Sequence, residues 1–132
     1  MKFELVSPTR LIYEGTVEQI TAPGIEGEFG VLPGHTPFLT FLNVGELNFT
    51  VDGQEKYVAI DGGFIEVLPF RVIAVVDDAM LAEEIDITAA EKQKEEAEAR
   101  LRDLTEDDKD FLIEKAKLAK ALNLIKVAGR LK

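Results

Sequence analysis

The chain has 132 residues, a length that suits one ordinary domain or two small ones with a modest shared core. Its hydrophobic fraction of 46% and its lack of cysteine exclude a disordered chain, a disulfide framework, thiolate catalysis and a cysteine-based zinc site. The net charge of −10 argues against non-specific nucleic-acid binding, because such binding requires clustered Lys and Arg.

The longest apolar runs, such as Val72 to Val76, are far too short to cross a bilayer. The N-terminal sequence MKFELVSPTR has neither the apolar core of a signal peptide nor the Arg- and Ser-rich composition of a transit peptide. The lack of cysteine fits a reducing cytosol. We therefore expect a soluble protein without a membrane anchor of its own.

The segment before Met80 is predicted to form β-strands. Lys2 to Val6 alternates, with Phe3 and Leu5 on one face, and a second run extends from Leu11 to Ile20. Many short strands at even spacing indicate a sandwich or a barrel. Further strands are predicted at residues 47–51, 57–60, 64–68 and 72–76.

Turn signals separate these strands. Asp52-Gly53 lies between two apolar runs and predicts a type I′ hairpin, because both residue types readily take positive φ angles. Gly62-Gly63 and Leu68-Pro69 are expected to divide the strands that follow.

Two glycine-containing stretches carry the most information. Residues 26–35 read EGEFGVLPGH and residues 61–67 read DGGFIEV, so each places glycine among apolar β-type residues, as a shaped turn between strands does. In the first stretch we expect Phe29, Val31 and Leu32 to pack inward. Glu26 and Glu28 should stay in solvent, which makes the loop a natural contact surface.

After Met80 the pattern becomes helical. Asp86 or Thr88 can cap a first helix, and Gly129 can cap the end of a second. A polar break of about four residues between the helices predicts an antiparallel hairpin.

The helical spacing of apolar residues predicts which face of each helix is buried. The first helix should bury Ala90, Ala97, Leu101 and Leu104. The second should bury Phe111, Leu118, Leu122 and Ile125, with Leu112, Ala116 and Ala119 beside them. An interface so rich in alanine buries little area, so we expect the hairpin to be held weakly.

Charge is unevenly distributed along the chain. Residues 1–83 carry 4 basic and 13 acidic side chains, whereas residues 111–132 carry 6 basic and 1 acidic. A basic tail on an acidic body indicates an acidic partner for the tail, and the alternative is a solvated helix face.

The sequence contains little that resembles an active site. His35 is the only histidine, and a Walker-type phosphate loop and a G-x-G-x-x-G motif are both missing. An enzyme would have to use Glu26, Glu28 and His35 in an enclosed pocket, which nothing in their spacing implies. We therefore predict a non-catalytic protein with neither cofactor nor metal.

The two glycine-containing stretches, in this order and followed by Ile85-Asp86 at the start of a helical hairpin, resemble the epsilon subunit of the bacterial F-type ATP synthase over nearly the whole chain. The resemblance implies an α+β fold. Residues 1–84 would form a flattened β-sandwich of about ten strands that binds the gamma subunit and the c-ring. Residues 85–132 would form a regulatory helical hairpin.

By the same resemblance the protein is a central-stalk rotor subunit and an intrinsic inhibitor of ATP hydrolysis. It would be peripheral to the cytoplasmic face of the bacterial plasma membrane and bound there only through the complex. The loop with Glu26, Glu28 and His35 would face the c-ring. In its extended form the hairpin would lay basic residues against an acidic segment of the catalytic beta subunits, near the alpha subunits. We expect that contact from Lys115, Lys117, Lys120, Lys126, Arg130 and Lys132.

An alternative function is a nucleotide-sensing hairpin that binds ATP. Some bacterial members bind ATP through a motif of Ile or Leu, Asp, two further residues, Arg and Ala. Here Ala89 stands in the place of the arginine, so a phosphate would lack its bidentate partner. We predict weak or absent ATP binding, with Asp86 acting mainly as a helix cap.

Overall fold

The computed structural model describes residues 1–131 and has an α+β architecture. The chain forms two compact units, Met1–Leu81 and a second that begins at Ala82. The boundary lies three residues before the predicted one, between residues 84 and 85. The strands of the first unit are β1 (Lys2–Val6), β2 (Leu11–Thr16), β3 (Gln19–Gly24), β4 (Gly27–Val31), β5 (Phe38–Val51), β6 (Gln54–Leu68), β7 (Arg71–Val76) and β8 (Ala79–Leu81).

The strands hydrogen-bond in the order β2-β1-β7-β6-β5-β3-β4, and β8 pairs with β6. The ring of Tyr13 on β2 nevertheless packs against that of Phe49 on β5, with 4.4 Å between centroids. Because β1, β7 and β6 separate these two strands in the order, the sheet must fold over on itself. The result is a two-layered sandwich whose core contains large, fully buried side chains such as Phe3, Leu5 and Ile60.

Strands β5 and β6 form one long antiparallel ribbon. Its pairing extends from Phe38 opposite Val67 to Val51 opposite Gln54. Asp52 and Gly53 join the two strands with φ angles of 50° and 79°, which confirms the predicted type I′ turn.

The ribbon changes the face that it turns toward the core. On β5 Leu42 is buried near one end, whereas Leu47 and Phe49 are buried further along, so the buried positions change from even to odd. The pairing register stays constant through this change, and Gly62 and Gly63 on β6 lie beside it with φ angles of 105° and 140°. The two glycines therefore reorient one continuous strand, and the prediction that they separate two strands was wrong.

The sandwich has eight strands where about ten were expected. The difference lies in β5 and β6, which contain 14 and 15 residues and so have about twice the usual strand length.

The second unit is a pair of helices, α1 (Ile87–Arg102) and α2 (Phe111–Ala128), with short 3₁₀ turns at Ala82–Glu84 and Gly129–Leu131. Asp86 caps α1, because its Oδ1 accepts a hydrogen bond from the Ala89 amide at 3.1 Å. Over the described part of the chain, neither helix is both long and apolar enough to span a bilayer.

The buried face of α1 agrees with the prediction except at Leu104, which lies in the link after the helix, and that of α2 agrees only in part. Ala90 and Ala97 are buried on α1, and Leu101 is half-buried. On α2 the buried positions include Glu114, a charged residue that interrupts the apolar pattern. This face of α2 consists of Phe111, Glu114, Leu118, Ala121, Ile125 and Ala128, and Val127 is buried on another side of the helix. The remaining predicted members, Leu112, Ala116, Ala119 and Leu122, are exposed.

The link between the helices is longer than predicted, at residues 103–110. Within it the Asp108 carboxylate accepts a hydrogen bond from the Thr105 amide at 2.8 Å. Gly129 is the C-cap of α2, but its φ of −63° is not left-handed, because the chain continues into a 3₁₀ turn.

Candidate partner-binding surfaces

An apolar patch lies on the solvent side of the β5–β6 ribbon. We define it as Leu39, Phe41 and Phe64, of which Leu39 and Phe41 are 65% and 64% exposed. Phe41 lies directly opposite Phe64, and Leu39 is two residues from Phe41 on the same face. The three side chains line a shallow concavity of about 430 Å³. Large apolar side chains that are grouped and exposed to this degree are typical of a protein-binding surface.

The predicted loop residues Glu26, Glu28 and His35 line one open depression of about 430 Å³. Their sequence spacing gave no sign of this depression. Both glutamates are exposed, as expected. The His35 ring packs against Phe38 at 5.3 Å between centroids, and its Nδ1 lies 2.8 Å from the Thr36 carbonyl oxygen. Two solvated carboxylates beside a half-buried ring fit a contact surface for a partner.

The end of the EGEFGVLPGH stretch differs from the prediction. Phe29 packs edge-on against Phe38 and Val31 is buried, but Leu32 points outward and is largely exposed. The reason is the turn that follows β4, in which the His35 amide donates to the Leu32 carbonyl at 3.1 Å. Gly27 and Gly34 take the positive φ angles that this stretch needs.

The predicted basic residues of α2 are exposed, but they do not share one face. At about 100° per residue, Lys115 and Lys126 flank the buried stripe on one side, about a quarter turn from it, and Lys115 Nζ lies 5.9 Å from the centroid of the Phe111 ring. Lys117 and Lys120 fall instead beside α1 and line a cleft of about 310 Å³ between the helices. Arg130 is exposed in the final 3₁₀ turn, and Lys132 lies outside the described residues.

The outward face of α2 is also apolar. Leu112 is 73% exposed, and Ala116 and Ala119 follow it at helical spacing on the same side as Lys115 and Lys126. The helix thus has a buried stripe against α1 and a second, solvent-facing stripe of apolar and basic residues.

The most unusual group in the hairpin is Glu114, which is only 6% exposed. Its Oε1 accepts hydrogen bonds from Arg100 Nη1 on α1 at 3.1 Å and from Lys117 Nζ at 3.4 Å. Burial alone would raise the pKa of this carboxyl. The hydrogen bonds and charges of Arg100 and Lys117 outweigh burial and hold the pKa below its ordinary value.

The residues of the degenerate ATP motif lie at the start of α1. Asp86 uses its carboxylate to cap α1, and Ala89 is exposed in the first turn. The cleft between the helices contains Arg100, Lys117 and Lys120, but it also contains the carboxylates of Glu96 and Glu114. Among residues 1–131 no three His, Cys, Asp or Glu side chains are grouped as metal ligands.

Comparison with known proteins assigns both units. Residues 1–82 match the family described as the beta-sandwich domain of the ATP synthase Delta/Epsilon chain, and residues 83–129 match its long alpha-helix domain. The chain belongs to the ATP synthase epsilon-chain family. It is 43% identical over 130 residues to the ATP synthase epsilon chain of Trichlorobacter lovleyi, covering 98% of this chain and 94% of that one. The Citrifermentans bemidjiense epsilon chain is 44% identical with the same coverage.

Solved structures agree with this family and its fold. A chain of the Euglena gracilis mitochondrial ATP synthase, from a structure described as OSCP/F1/c-ring, is 28% identical and superposes with a TM-score of 0.77. The match covers 98% of this chain and 79% of that one. A chain from the central stalk and c-ring of the Tetrahymena thermophila enzyme shares the fold, with a TM-score of 0.58 at 15% identity and coverage of 98% and 94%.

Proposed function

We propose that this epsilon-family chain is a rotor subunit that joins the gamma subunit to the c-ring and restrains ATP hydrolysis through its helices. It acts by binding and supplies no catalytic group. The observation that carries the proposal is the apolar patch of Leu39, Phe41 and Phe64, an exposed aromatic surface on an otherwise well-packed sandwich. We assign this patch to the gamma subunit, because aromatic residues are enriched where permanent partners meet.

A charge placed in the patch tests the gamma assignment. Leu39→Glu should weaken binding to the cognate gamma subunit at least about thirtyfold, the factor that corresponds to losing an interface anchor worth about 2 kcal/mol. Phe70→Glu is the matched control, because Phe70 is 69% exposed in the turn that follows β6, beyond the patch. Both variants should retain the parent melting temperature. Equal binding by the two variants would refute the assignment.

We assign the depression containing Glu26, Glu28 and His35 to the c-ring. The exposure of both carboxylates supports a contact with polar or basic loops. In the reassembled membrane enzyme, Glu28→Lys should lower ATP-driven proton pumping relative to hydrolysis. Glu14→Lys reverses an exposed charge on β2 and should leave pumping unchanged. A normal ratio of pumping to hydrolysis in Glu28→Lys would remove Glu28 from this interface.

The inhibitory role is assigned to α2. Its solvent-facing stripe of Leu112, Ala116 and Ala119 beside Lys115 and Lys126 suits a partner surface that is both apolar and acidic. Lys117, Lys120 and Arg130 would join the contact once α2 leaves α1. We place the protein at the cytoplasmic face of the bacterial membrane, held there by the complex.

Inhibition can be measured with the catalytic complex stripped of this subunit. The full chain should slow ATP hydrolysis, and a chain ending at Glu84 should bind without slowing it. Replacing Lys115 and Lys126 by Gln should weaken inhibition, and the weakening should resemble that produced by salt. Lys92→Gln, an exposed lysine on α1, is the control. Full inhibition by the double variant would exclude these two lysines from the braking contact.

ATP sensing by the hairpin remains the alternative. Two carboxylates in the cleft and a capping role for Asp86 argue against tight phosphate binding. Calorimetric titration of the isolated chain should therefore show no micromolar ATP affinity, and a micromolar constant would favour the alternative.

A further inference from the structure

The interface between α1 and α2 contains one element that apolar packing does not explain. Its buried side chains on α1 are Ala90 and Ala97, which contribute little apolar area. Glu114 occupies a position on α2 between Phe111 and Leu118, where helical spacing calls for an apolar residue. A carboxylate there must be compensated, because burying a charge alone is unfavourable.

The compensation comes from both helices, and the two partners differ in kind. Lys117 is three residues from Glu114 on α2, so their contact persists when α2 separates from α1. Arg100 belongs to α1, so its 3.1 Å contact exists only while the hairpin is closed. Oε2 of Glu114 is buried and accepts no hydrogen bond from the residues that the structure describes. Within residues 1–131, only one of the two carboxylate oxygens is therefore hydrogen-bonded.

We propose that Glu114 and Arg100 form a reversible clasp between the helices. The clasp holds the hairpin closed, but it does so less firmly than a packed apolar residue at position 114 would. On opening, both charges enter water, where they are well solvated, and no large apolar surface is exposed at this position. A leucine would fill the same place and bind α1 by packing, but it would resist separation. The regulatory role of the clasp rests on the proposed braking function. Its effect on hairpin closure can be measured in the isolated chain, without partner subunits.

Hydrogen exchange of the α2 amides in the isolated full chain reports the closed fraction. Arg100→Ala should speed exchange by about tenfold, because it leaves Glu114 buried with one fewer partner, an effect moderated by the exposure of Arg100. Arg102→Ala removes a neighbouring exposed arginine that does not contact Glu114, and should change nothing. Glu114→Leu should slow exchange by a few-fold, since packed apolar residues often replace buried ion pairs with a gain.

The decisive variant combines the two changes. If Arg100 acts through Glu114, Arg100→Ala should have no effect on exchange in the Glu114→Leu chain, whereas independent roles would give additive effects. Additive effects, or faster exchange in Glu114→Leu, would overturn the clasp. Glu114→Gln keeps the side-chain shape and serves if the leucine variant folds poorly; it should make exchange insensitive to Arg100→Ala.

Inhibition by the same variants separates the clasp from the proposed function. With the stripped catalytic complex, Glu114→Leu should inhibit hydrolysis less than the parent, and Arg100→Ala should inhibit more. If exchange changes as expected but inhibition does not, the clasp stands and the braking role fails. If exchange is unchanged, the clasp fails whatever the inhibition assay gives.

Discussion

The two units of this chain are stabilised in different ways. The sandwich buries large side chains such as Phe3, Phe49 and Ile60 completely, whereas the hairpin buries mainly alanines, with one valine and one glutamate. Large buried side chains contribute roughly 1.5–3 kcal/mol each, and an alanine methyl contributes far less. The comparison indicates a firmly packed unit joined to one with a much smaller apolar core, and this difference suits the rotor subunit with a movable brake that we propose.

The largest expected effect is in the sandwich core. Phe49→Ala should lower the free energy of unfolding of the first unit by about 3–5 kcal/mol, because Phe49 packs against both Phe3 and Tyr13. Hydrogen exchange in α1 and α2 should stay unchanged. Phe70→Ala, at a position that is 69% exposed, is the control and should have little effect. A matching loss of protection in the helices would remove the distinction between the units.

The next effect concerns the reorienting glycine of β6. Gly63→Ala should cost about 1–3 kcal/mol, because its φ is 140° and a Cβ would collide with the Val75 carbonyl oxygen. Gly27→Ala shares the large positive φ, at 126°, but has nothing within 4 Å of the new Cβ. The difference between the two variants in denaturant unfolding isolates the collision, and equal losses would show that backbone strain alone matters.

A smaller effect is expected at the start of the hairpin. Asp86→Ala should destabilise α1 by about 1 kcal/mol through loss of its cap hydrogen bond. Asp110 is the N-cap of α2 but makes no side-chain cap hydrogen bond, so Asp110→Ala should have less effect. Circular dichroism melts of the helical signal compare the two, and a larger loss at Asp110 would contradict the capping assignment.

The smallest effect is a pH dependence confined to the hairpin. The pKa of Glu114 is lower in the closed hairpin than in the open chain, so its stabilising contribution is present above the usual Glu pKa of about 4.3 and is lost as the pH falls further. The charged groups facing it are Arg100 and Glu96 from α1 and Lys117 and Lys120 from α2. α2 exchange, corrected for its intrinsic pH dependence, should show this loss, and Glu114→Gln should not. The same loss in Glu114→Gln would assign it to another group.

Local signals in the sequence predicted the fold well where one residue determines the geometry. Asp52-Gly53 gave the hairpin turn, and the alternation of Phe3 and Leu5 gave a buried strand face. The signal at Gly62-Gly63 was ambiguous, because glycine both ends strands and reorients them. Only the pairing partners of β6, which lie far away in sequence, distinguish these outcomes.

The site was harder to predict than the fold. Glu114 was missed because hydrophobic periodicity passes over charged residues, although its spacing from Phe111 and Leu118 places it on the buried stripe. The apolar patch was also missed, since alternation in β5 does not say which face is solvent until the layers are assembled. The basic character of α2 could be predicted directly from composition. The division of its lysines between two helix faces could not.

The β5–β6 ribbon has a mechanical consequence. Its hydrogen-bonded ladder continues for 14 residues of β5, roughly 45 Å if fully extended, and passes through both layers without an intervening loop. A tangential load applied at the apolar patch would be carried along this beam as shear between paired strands, and shared among many hydrogen bonds at once. A stalk component built on such a beam would twist little under torque, so compliance would be concentrated elsewhere in the rotor.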